Sequence, residues 1–391
     1  MISGSKVHPH DKLACRWVGL WECEARNNPD FIKRTERMRM KKKMKKFVSV
    51  LMAAVTVTFL LYGCAGKQSD TITVLNYGMY IDMNVLDQFE KETGIKVVYE
   101  EVPTPEELYT KYKAKAIKYD VLCTSEYMLQ RLMDEGELAE VDFSTMNNTK
   151  GIGDEYWEMA SDFDPGNKHV MPYFWGTVGI LYDPEKTGGE IDSWKPLFDG
   201  SHSGDIIMQN SMRDAFMAAL KYLGYSMNTT DDKELKEAQK ILIDQKKDVQ
   251  AYLVDEVRDE ILAGNAAAGV VYSGEALYAC EEDPSLAYCI PKEGTNIWID
   301  CWGITNECTN TDKAKKFLDF LCREDIARAN FEEVRYSSPV TAINESLTDE
   351  EKASEALVPP SKKLANCEIY KNLPVETTDE IDEMWKELKA F

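Results

Sequence analysis

Apolar residues beyond residue 70 alternate between short continuous runs and longer stretches in which they recur every three or four positions. The short runs predict buried strands, and the longer stretches predict amphipathic helices between them. The first three runs lie at 72–76, 95–99 and 119–123. This alternation of strand and helix predicts a parallel, doubly wound sheet whose ligand lies beyond the carboxyl ends of the strands.

The boundaries of the first two helices carry specific signals. Gly94 stands where the C-terminal end of a helix favours glycine. Thr104, Pro105 and Glu107 form a capping-box pattern with proline at the first helical position. This pattern predicts a second helix that ends at about Ala116.

A second series of elements begins after Pro172. Four more strands are predicted at 178–182, 205–208, 268–272 and 297–304. Helices are predicted at about 235–242, before 264 and at 314–321. No sequence repeat and no Gly/Ser-rich linker separates the two series. We therefore expect two α/β units joined by strands that cross between them, an arrangement that allows a hinge.

A signal segment is predicted ahead of these elements. Residues 40–46 are basic, residues 47–61 form an apolar run, and Tyr62, Gly63 and Cys64 follow. The apolar run is shorter than the roughly 20 residues of a membrane span and suits a secretory signal. Its end resembles the bacterial lipobox, although Tyr62 is larger than that pattern prefers. We predict lipidation at Cys64, with an ordinary cleaved signal as the alternative.

The first residues of the chain precede this signal segment and show no periodicity. We interpret residues 1–37 as an upstream extension of the reading frame, with Met38, Met40 or Met44 as the start. The signal peptide is then predicted at 38–64 and excluded from the fold.

Charge is distributed unevenly along the chain. Residues 1–46 contain 13 Lys or Arg and five acids, whereas the part from residue 65 onward carries a net charge of −30 within a total of −22. So acidic a body is a poor partner for nucleic acid and a plausible collector of cations, although solubility alone could also account for the charge. With 44% hydrophobic residues the chain can form a substantial core.

Cysteine and histidine usage argues against a metal centre. Seven cysteines follow Cys64, an odd number without a CxxC pair, so most are predicted to be buried free thiols and a bridge between Cys280 and Cys289 stays open. His169 and His202 lie in separate polar stretches, and no phosphate-binding, dinucleotide-binding, zinc-protease or nucleophile-elbow motif occurs. We predict no metal, no cofactor and no catalytic residues.

Aromatic residues gather at the predicted strand ends. Tyr77 and Tyr80 follow the first strand, and Ser125 and Tyr127 follow the third. Further along the chain, Tyr272 ends the strand 268–272, while Trp298 and Asp300 lie together in the predicted crossing strand. Each aromatic residue alone is more often part of a core, but their shared position predicts the walls of a ligand site.

An ordered set of segments resembles the bacterial spermidine/putrescine-binding proteins. The segments are LNYGMYI at 75–81, FEKETGIKV at 89–97, YDVLCTSEY at 119–127, PYFWGTVG at 172–179, LGYSMNTT at 223–230, PKEG at 291–294 and WID at 298–300. The resemblance implies an α/β fold of the two-lobed type II periplasmic-binding-protein kind, in which each lobe is a mainly parallel sheet flanked by helices and the ligand lies in a cleft between the lobes. The implied lobes are 70–175 with 303–345, and 176–302 with 346–391.

The same resemblance implies the ligand-binding residues. In that family an aromatic box packs against the polyamine methylenes and acidic residues bind its ammonium groups. The positions implied are Tyr77, Tyr80, Ser125, Tyr127, Asp214, Tyr272, Trp298, Asp300 and Tyr336. Ser211 departs from an Asp of some members, and the Gln that some members use has no clear counterpart at 370–372. We interpret Trp175 as a hinge or core residue.

The expected function is capture of spermidine or putrescine outside the cytoplasm, without catalysis. A membrane permease and a cytoplasmic ATPase are the partners that the resemblance implies, and we expect a lipid-anchored monomer. Three alternatives remain. The same fold could bind another organic cation, an amino acid or ferric iron, it could carry an enzyme, or the chain could be a surface lipoprotein without a transport role.

Overall fold

The computed structural model of the protein describes residues 70–390, in which nine strands form one mixed sheet. The strands in chain order are β1 (Thr71–Tyr77), β2 (Lys96–Val102), β3 (Val121–Thr124), β4 (Val170–Tyr182), β5 (Ile206–Gln209), β6 (Val249–Leu253), β7 (Ala268–Tyr272), β8 (Ala287–Cys289) and β9 (Ile297–Ile304). The unit Asp70–Phe391 is compact by itself. The predicted signal segment, Cys64 and the predicted extension lie outside the described residues.

Helices connect these strands and cover the sheet. In chain order they are α1 (Met83–Thr93), α2 (Pro105–Lys113), α3 (Glu126–Asp134), α4 (Asp154–Ser161), α5 (Pro184–Thr187), α6 (Lys195–Phe198), α7 (Met212–Leu223), α8 (Asp232–Gln245), α9 (Glu256–Leu262), α10 (Ser273–Glu282), α11 (Thr311–Leu321), α12 (Glu324–Val334), α13 (Thr341–Glu345), α14 (Asp349–Ala353), α15 (Ser361–Leu364) and α16 (Val375–Ala390). Within residues 70–390, no helix is both long enough and apolar enough to cross a membrane.

The strand order is β2-β1-β3-β9-β4-β7-β5-β6, and β8 pairs with β4. The two ends of this order are parallel groups, β2-β1-β3 and β7-β5-β6. Between them lie β9 and β4, which are antiparallel to each other and to their outer neighbours. The prediction of two α/β units joined by crossing strands is therefore confirmed: β4 pairs with β9 through its first part and with β7 through its last part.

Most predicted strands are confirmed within one or two residues, but β4 is longer than expected. It begins at Val170, whereas the sequence pattern predicted a strand only at 178–182. The segment before residue 178 was not assigned to a strand, yet it pairs with β9 and contains an irregularity in the register between Pro172 and Phe174. Two strands, β6 and β8, were not predicted.

Local signals set the helix ends as expected. Gly94 ends α1 in the left-handed conformation with φ +70°, which glycine adopts without strain. Thr104 accepts a hydrogen bond from the Glu107 N–H and opens α2, which ends at Lys113 rather than at Ala116.

The core extends without interruption along both parallel groups and the crossing strands. All 13 residues of β4 and all eight of β9 are buried, as expected for strands covered on both faces. Trp194 and Trp302 are among the largest side chains that are fully enclosed. The seven cysteines of the described range are free thiols, so Cys280 and Cys289 do not form a bridge.

Candidate functional site

The predicted strand-end residues do meet at one edge of the sheet. Tyr77 is the last residue of β1, Ser125 directly follows β3, and Tyr272 is the last residue of β7. Asp214 lies in the first turn of α7, which follows β5. Because the carboxyl ends of parallel strands share an edge in each group, the two groups present these side chains toward the crossing strands.

Tyr80 and Asp300 form the centre of a first cluster. The Tyr80 hydroxyl donates to Asp300 Oδ2 at 2.6 Å, and both residues are 7% exposed. Burial raises the pKa of Asp300 to about 7, while the hydrogen bond from Tyr80 opposes this rise. The Asp300 carboxyl group is therefore a buried acid that a bound cation would stabilise in its ionised form.

Aromatic rings surround this acid. Tyr80 packs against Tyr77 at a centroid distance of 5.4 Å and against Tyr336 at 5.9 Å. Trp298 meets Tyr336 edge to face, with centroids 4.9 Å apart and an interplanar angle of 88°. The Trp298 Nε1–H is buried and has no hydrogen-bond partner among the described residues.

Two glycines allow the walls to approach closely. A Cβ on Gly176 of β4 would overlap the Trp298 ring, and a Cβ on Gly274 of α10 would overlap the Tyr336 ring. Both aromatic rings therefore lie directly against backbone, which fixes their positions without a flexible side chain beneath them.

Asp214 is the centre of a second cluster. It is 3% exposed, and it accepts from the Tyr272 hydroxyl at 2.8 Å and from the Tyr370 hydroxyl at 2.9 Å, one on each carboxylate oxygen. Ser211 is the N-cap of α7 and accepts from the Asp214 N–H at 3.4 Å. A carboxylate with two hydroxyl donors retains lone pairs for further donors.

The side chain of Arg213 lies beside this second cluster. Its guanidinium is 4.4 Å from the centroid of the Tyr370 ring and 5.7 Å from that of Tyr127. The same guanidinium bonds to the Lys371 carbonyl and to Asn228.

Residues at the start of α3 connect the two clusters. The Tyr77 hydroxyl accepts from the Ser125 N–H at 3.2 Å and bonds to Thr124 Oγ1 at 2.8 Å. Ser125 Oγ is buried without a partner among residues 70–390. The Tyr127 ring meets Tyr370 edge to face at 6.1 Å.

The hydroxyl group of Tyr127, an implied ligand-binding residue, is bonded to an acidic side chain of the protein. It donates to Oε1 of the outlying Glu106 at 2.8 Å. Tyr127 thus belongs to the site by its ring, while its hydroxyl is already bonded to an acid of α2.

Two residues that lie among these side chains were not identified from the sequence. Tyr370 lies in the segment 366–372, where only a Gln counterpart was considered. Glu126 was passed over although it stands between two predicted site residues, Ser125 and Tyr127. A carboxylate at the first position of a helix that follows a buried strand was the signal that could have identified Glu126.

Other parts of the surface are less suited to this chemistry. An open groove of about 760 Å³ lies elsewhere. Phe143 and Trp157 are among the residues that line it, and none of the predicted site residues does. Within residues 70–390, no three His, Cys, Asp or Glu side chains are placed to hold a metal ion together.

Trp175 is packed in the core against Tyr156, at a centroid distance of 5.6 Å.

Comparison with known proteins gives a consistent family. The family model described as bacterial extracellular solute-binding protein matches residues 84–360. The chain is 30% identical over 353 residues to the spermidine/putrescine-binding periplasmic protein of Salmonella typhimurium. The aligned region covers 89% of this chain and 99% of that protein. It is 27% identical over 364 residues to the putrescine-binding periplasmic protein SpuD of Pseudomonas aeruginosa, with the same coverage.

A solved structure supports both fold and family. The crystal structure of the spermidine/putrescine ABC transporter substrate-binding protein PotD from Streptococcus pneumoniae matches with a TM-score of 0.73 and 33% identity, covering 82% of this chain and 98% of that one. The predicted two-lobed type II fold is thereby confirmed, and the family lies outside the cytoplasm. The chain belongs to the bacterial extracellular solute-binding proteins, in the family of the spermidine/putrescine-binding periplasmic proteins.

Proposed function

We propose that this protein is the substrate-binding subunit of an ABC uptake system and that it captures spermidine or putrescine outside the cytoplasm. The names of its relatives support the class of ligand. The relatives are named for binding and transport, and the proposed role includes no catalysis. The observation that carries the proposal is that aromatic residues surround Asp300 and Asp214, beside the crossing strands that separate the two parallel groups.

A polyamine matches this arrangement chemically. Its methylenes need apolar surface, and each of its ammonium groups needs a partner because an unpaired charge removed from water costs several kcal/mol. Trp298, Tyr336 and Tyr77 supply ring faces and edges, and each cation–π contact contributes about 0.5–2 kcal/mol depending on desolvation. Asp300 and Asp214 supply the charges, one in each cluster.

Closure around the ligand follows from the positions of the two clusters. We assign 70–175 with 303–345 to one lobe and 176–302 with 346–391 to the other. Tyr80 then belongs to the first lobe, while Asp214, Tyr272 and Trp298 belong to the second. A ligand that contacts both lobes favours the closed arrangement, which is the form that a permease would recognise.

Anchoring to the membrane is part of the same proposal. Lipidation at Cys64 would retain the binding protein near its permease, and two acyl chains give stable anchoring. The proposed state is a monomer, with a permease and an ATPase as partners and no nucleic acid.

A ligand panel tests the proposal. Because the unit Asp70–Phe391 is compact by itself, the chain from residue 65 onward serves as the sample. We expect spermidine and putrescine to raise its melting temperature, and amino acids and ferric iron to leave it unchanged. No shift with any di-, tri- or tetra-amine would disprove the proposed ligand class, and a shift with iron or an amino acid would favour the alternative of a different ligand.

The Asp300→Asn variant tests the residue that we place at the centre. The amide keeps the shape and removes the charge, so we expect polyamine affinity to fall more than tenfold in titration calorimetry. Asp244→Asn is the matched control, since Asp244 is an exposed acid of α8 paired only with Lys240. Equal weakening by both variants, or by neither, would remove Asp300 from the site.

A further inference from the structure

Glu126 is a fully buried carboxylate that is not among the predicted ligand-binding residues. It is 0% exposed and is the first residue of α3, directly after β3. Buried carboxylates are rare unless they are paired with a charge or donor. Its burial therefore requires a reason.

Part of that reason is structural. Glu126 Oε2 accepts from the Ile299 N–H at 3.4 Å, and the Tyr370 backbone N–H also bonds to this carboxylate. Ile299 lies on β9 between Trp298 and Asp300, just beyond the end of the neighbouring β3. Glu126 Oε2 thus accepts from a backbone N–H group of β9 that lies beyond the paired length of β3.

The second oxygen has no such role. Glu126 Oε1 is buried and accepts no hydrogen bond from any described residue. Ser125 Oγ, on the adjacent residue, is also buried without a hydrogen-bond partner among the described residues. Two neighbouring buried oxygens that lack donors suit a ligand that brings N–H groups, since a buried acceptor left unsatisfied is costly.

The neighbours of Glu126 place it between the two known clusters. On one side it interacts electrostatically with Asp300 and Cys301 of β9. On the other side it interacts with Tyr370, which donates to Asp214 beside the positively charged Arg213. Tyr127 is the titratable neighbour on α3 itself. The order of the three carboxylates across the site is therefore Asp300, Glu126 and Asp214.

We propose that Glu126 is a third ligand-binding carboxylate, which receives the central secondary ammonium of a triamine through Oε1 and so makes this site selective for spermidine over putrescine. The inference rests on the proposed function and adds a specificity residue to it. A diamine has ammonium groups for Asp300 and Asp214 and leaves Glu126 facing methylenes. A triamine neutralises all three carboxylates.

Burial supports this role. Desolvation and the nearby charge of Asp300 together raise the pKa of Glu126 to about 8, although hydrogen bonds from backbone N–H groups oppose this rise. Near neutral pH a diamine therefore leaves Glu126 largely protonated, whereas a central ammonium stabilises its ionised form. Spermidine selectivity is then expected to increase with pH.

The test compares Glu126→Gln with the natural protein, using spermidine and putrescine as probes in titration calorimetry at pH 8. Glutamine retains an oxygen for the backbone N–H groups and removes the charge. We expect spermidine affinity to fall at least tenfold and putrescine affinity to change less than threefold. If the affinities for both ligands fall by the same factor, or if neither affinity changes, the inference is wrong and Glu126 has only a structural role.

A second measurement covers a variant that fails to fold. The ratio of spermidine to putrescine affinity of the natural protein is measured between pH 6.5 and 8.5. A ratio that rises with pH supports a titrating central carboxylate, and a constant ratio overturns it. If the natural protein binds neither amine, the proposed function fails as well; if it binds both and only the ratios contradict us, the failure belongs to Glu126 alone.

Discussion

The carboxyl groups of Asp300 and Glu126 are buried, and burial raises their pKa values to about 7 and about 8. An ammonium ion bound beside such a group stabilises the ionised form. Binding therefore releases protons wherever the free protein still holds them, which is below about pH 8. In the proposed complex, the affinity for a polyamine is thus coupled to pH through Asp300 and Glu126.

The pH dependence of polyamine binding follows from this coupling. Because protonated carboxyl groups must ionise before they pair, spermidine affinity should rise with pH. Between pH 8 and pH 6 it should fall by about tenfold through Asp300 alone and by several hundredfold through Asp300 and Glu126 together. Titration calorimetry in two buffers of different ionisation enthalpy would report the released protons. In Asp300→Asn the dependence should be shallower than in the natural protein. Affinity that is constant from pH 6 to 8 would contradict the ionisation of these groups in the complex.

At the scale of single elements, α10 positions an aromatic wall through its second residue, Gly274. A Cβ at this position would overlap the Tyr336 ring, so Gly274→Ala should displace that ring from Trp298. We expect polyamine affinity to fall by about tenfold, in line with the loss of roughly 1.5 kcal/mol that misplaced aromatic pairs can cause.

Gly151→Ala is the control for this change. A Cβ on Gly151 would make only ordinary contacts, 3.7 Å from Val340 and 3.9 Å from the Cys322 carbonyl oxygen, and neither neighbour is a predicted site residue. Polyamine titration of both variants, with melting temperature as a check on folding, measures the effect. Unchanged affinity in Gly274→Ala would show that Tyr336 can shift without cost.

The elements that could be predicted from sequence are those whose apolar runs are short, continuous and bounded by clear signals. β9 was predicted at its observed limits because Ile297–Ile304 is almost entirely apolar. β6 was missed although four of its five residues are apolar, because it is short, lies at the edge of the sheet and is only partly buried. The three-residue β8 is too short for any periodicity to appear.

The site was predictable to the extent that its residues follow strand ends. Tyr77, Ser125 and Tyr272 could be placed from topology alone, because parallel strands bring their carboxyl ends to one edge. Tyr370 could not, since it reaches Asp214 from an irregular segment 156 positions away in the chain. Contacts of this kind depend on tertiary packing and leave no periodic signal.

At the scale of the whole molecule, α3 and the segment 370–372 are joined across the site. Gln130 of α3 donates to the Tyr370 carbonyl at 3.0 Å and accepts from the Asn372 N–H at 3.1 Å. Asn372 also donates to Asp134, one turn further along α3. In the proposed division these bonds run from one lobe to the other, so opening the cleft would break them.

Gln130→Ala should therefore weaken polyamine binding although Gln130 is not among the proposed ligand contacts. Two hydrogen bonds with a net contribution of about 0.5–1.5 kcal/mol each would be lost from the closed form, and affinity should fall by roughly five- to a hundredfold. Gln88→Ala is the matched control, because Gln88 bonds only to Glu92 on the surface of α1. Titration with spermidine measures both, and equal affinity would show that these bonds persist in the open form.

In the proposed division, the crossing strands β4 and β9 form the axis about which the two lobes would rotate. Trp298 and Asp300 lie on β9 itself, within the paired stretch that β9 shares with β4. In the proposed division, a rotation of one lobe about this strand pair would move Asp214, which follows β5, farther than Trp298 and Asp300. We therefore expect a polyamine to contact Trp298 and Asp300 before the lobes close and to reach Asp214 as they close.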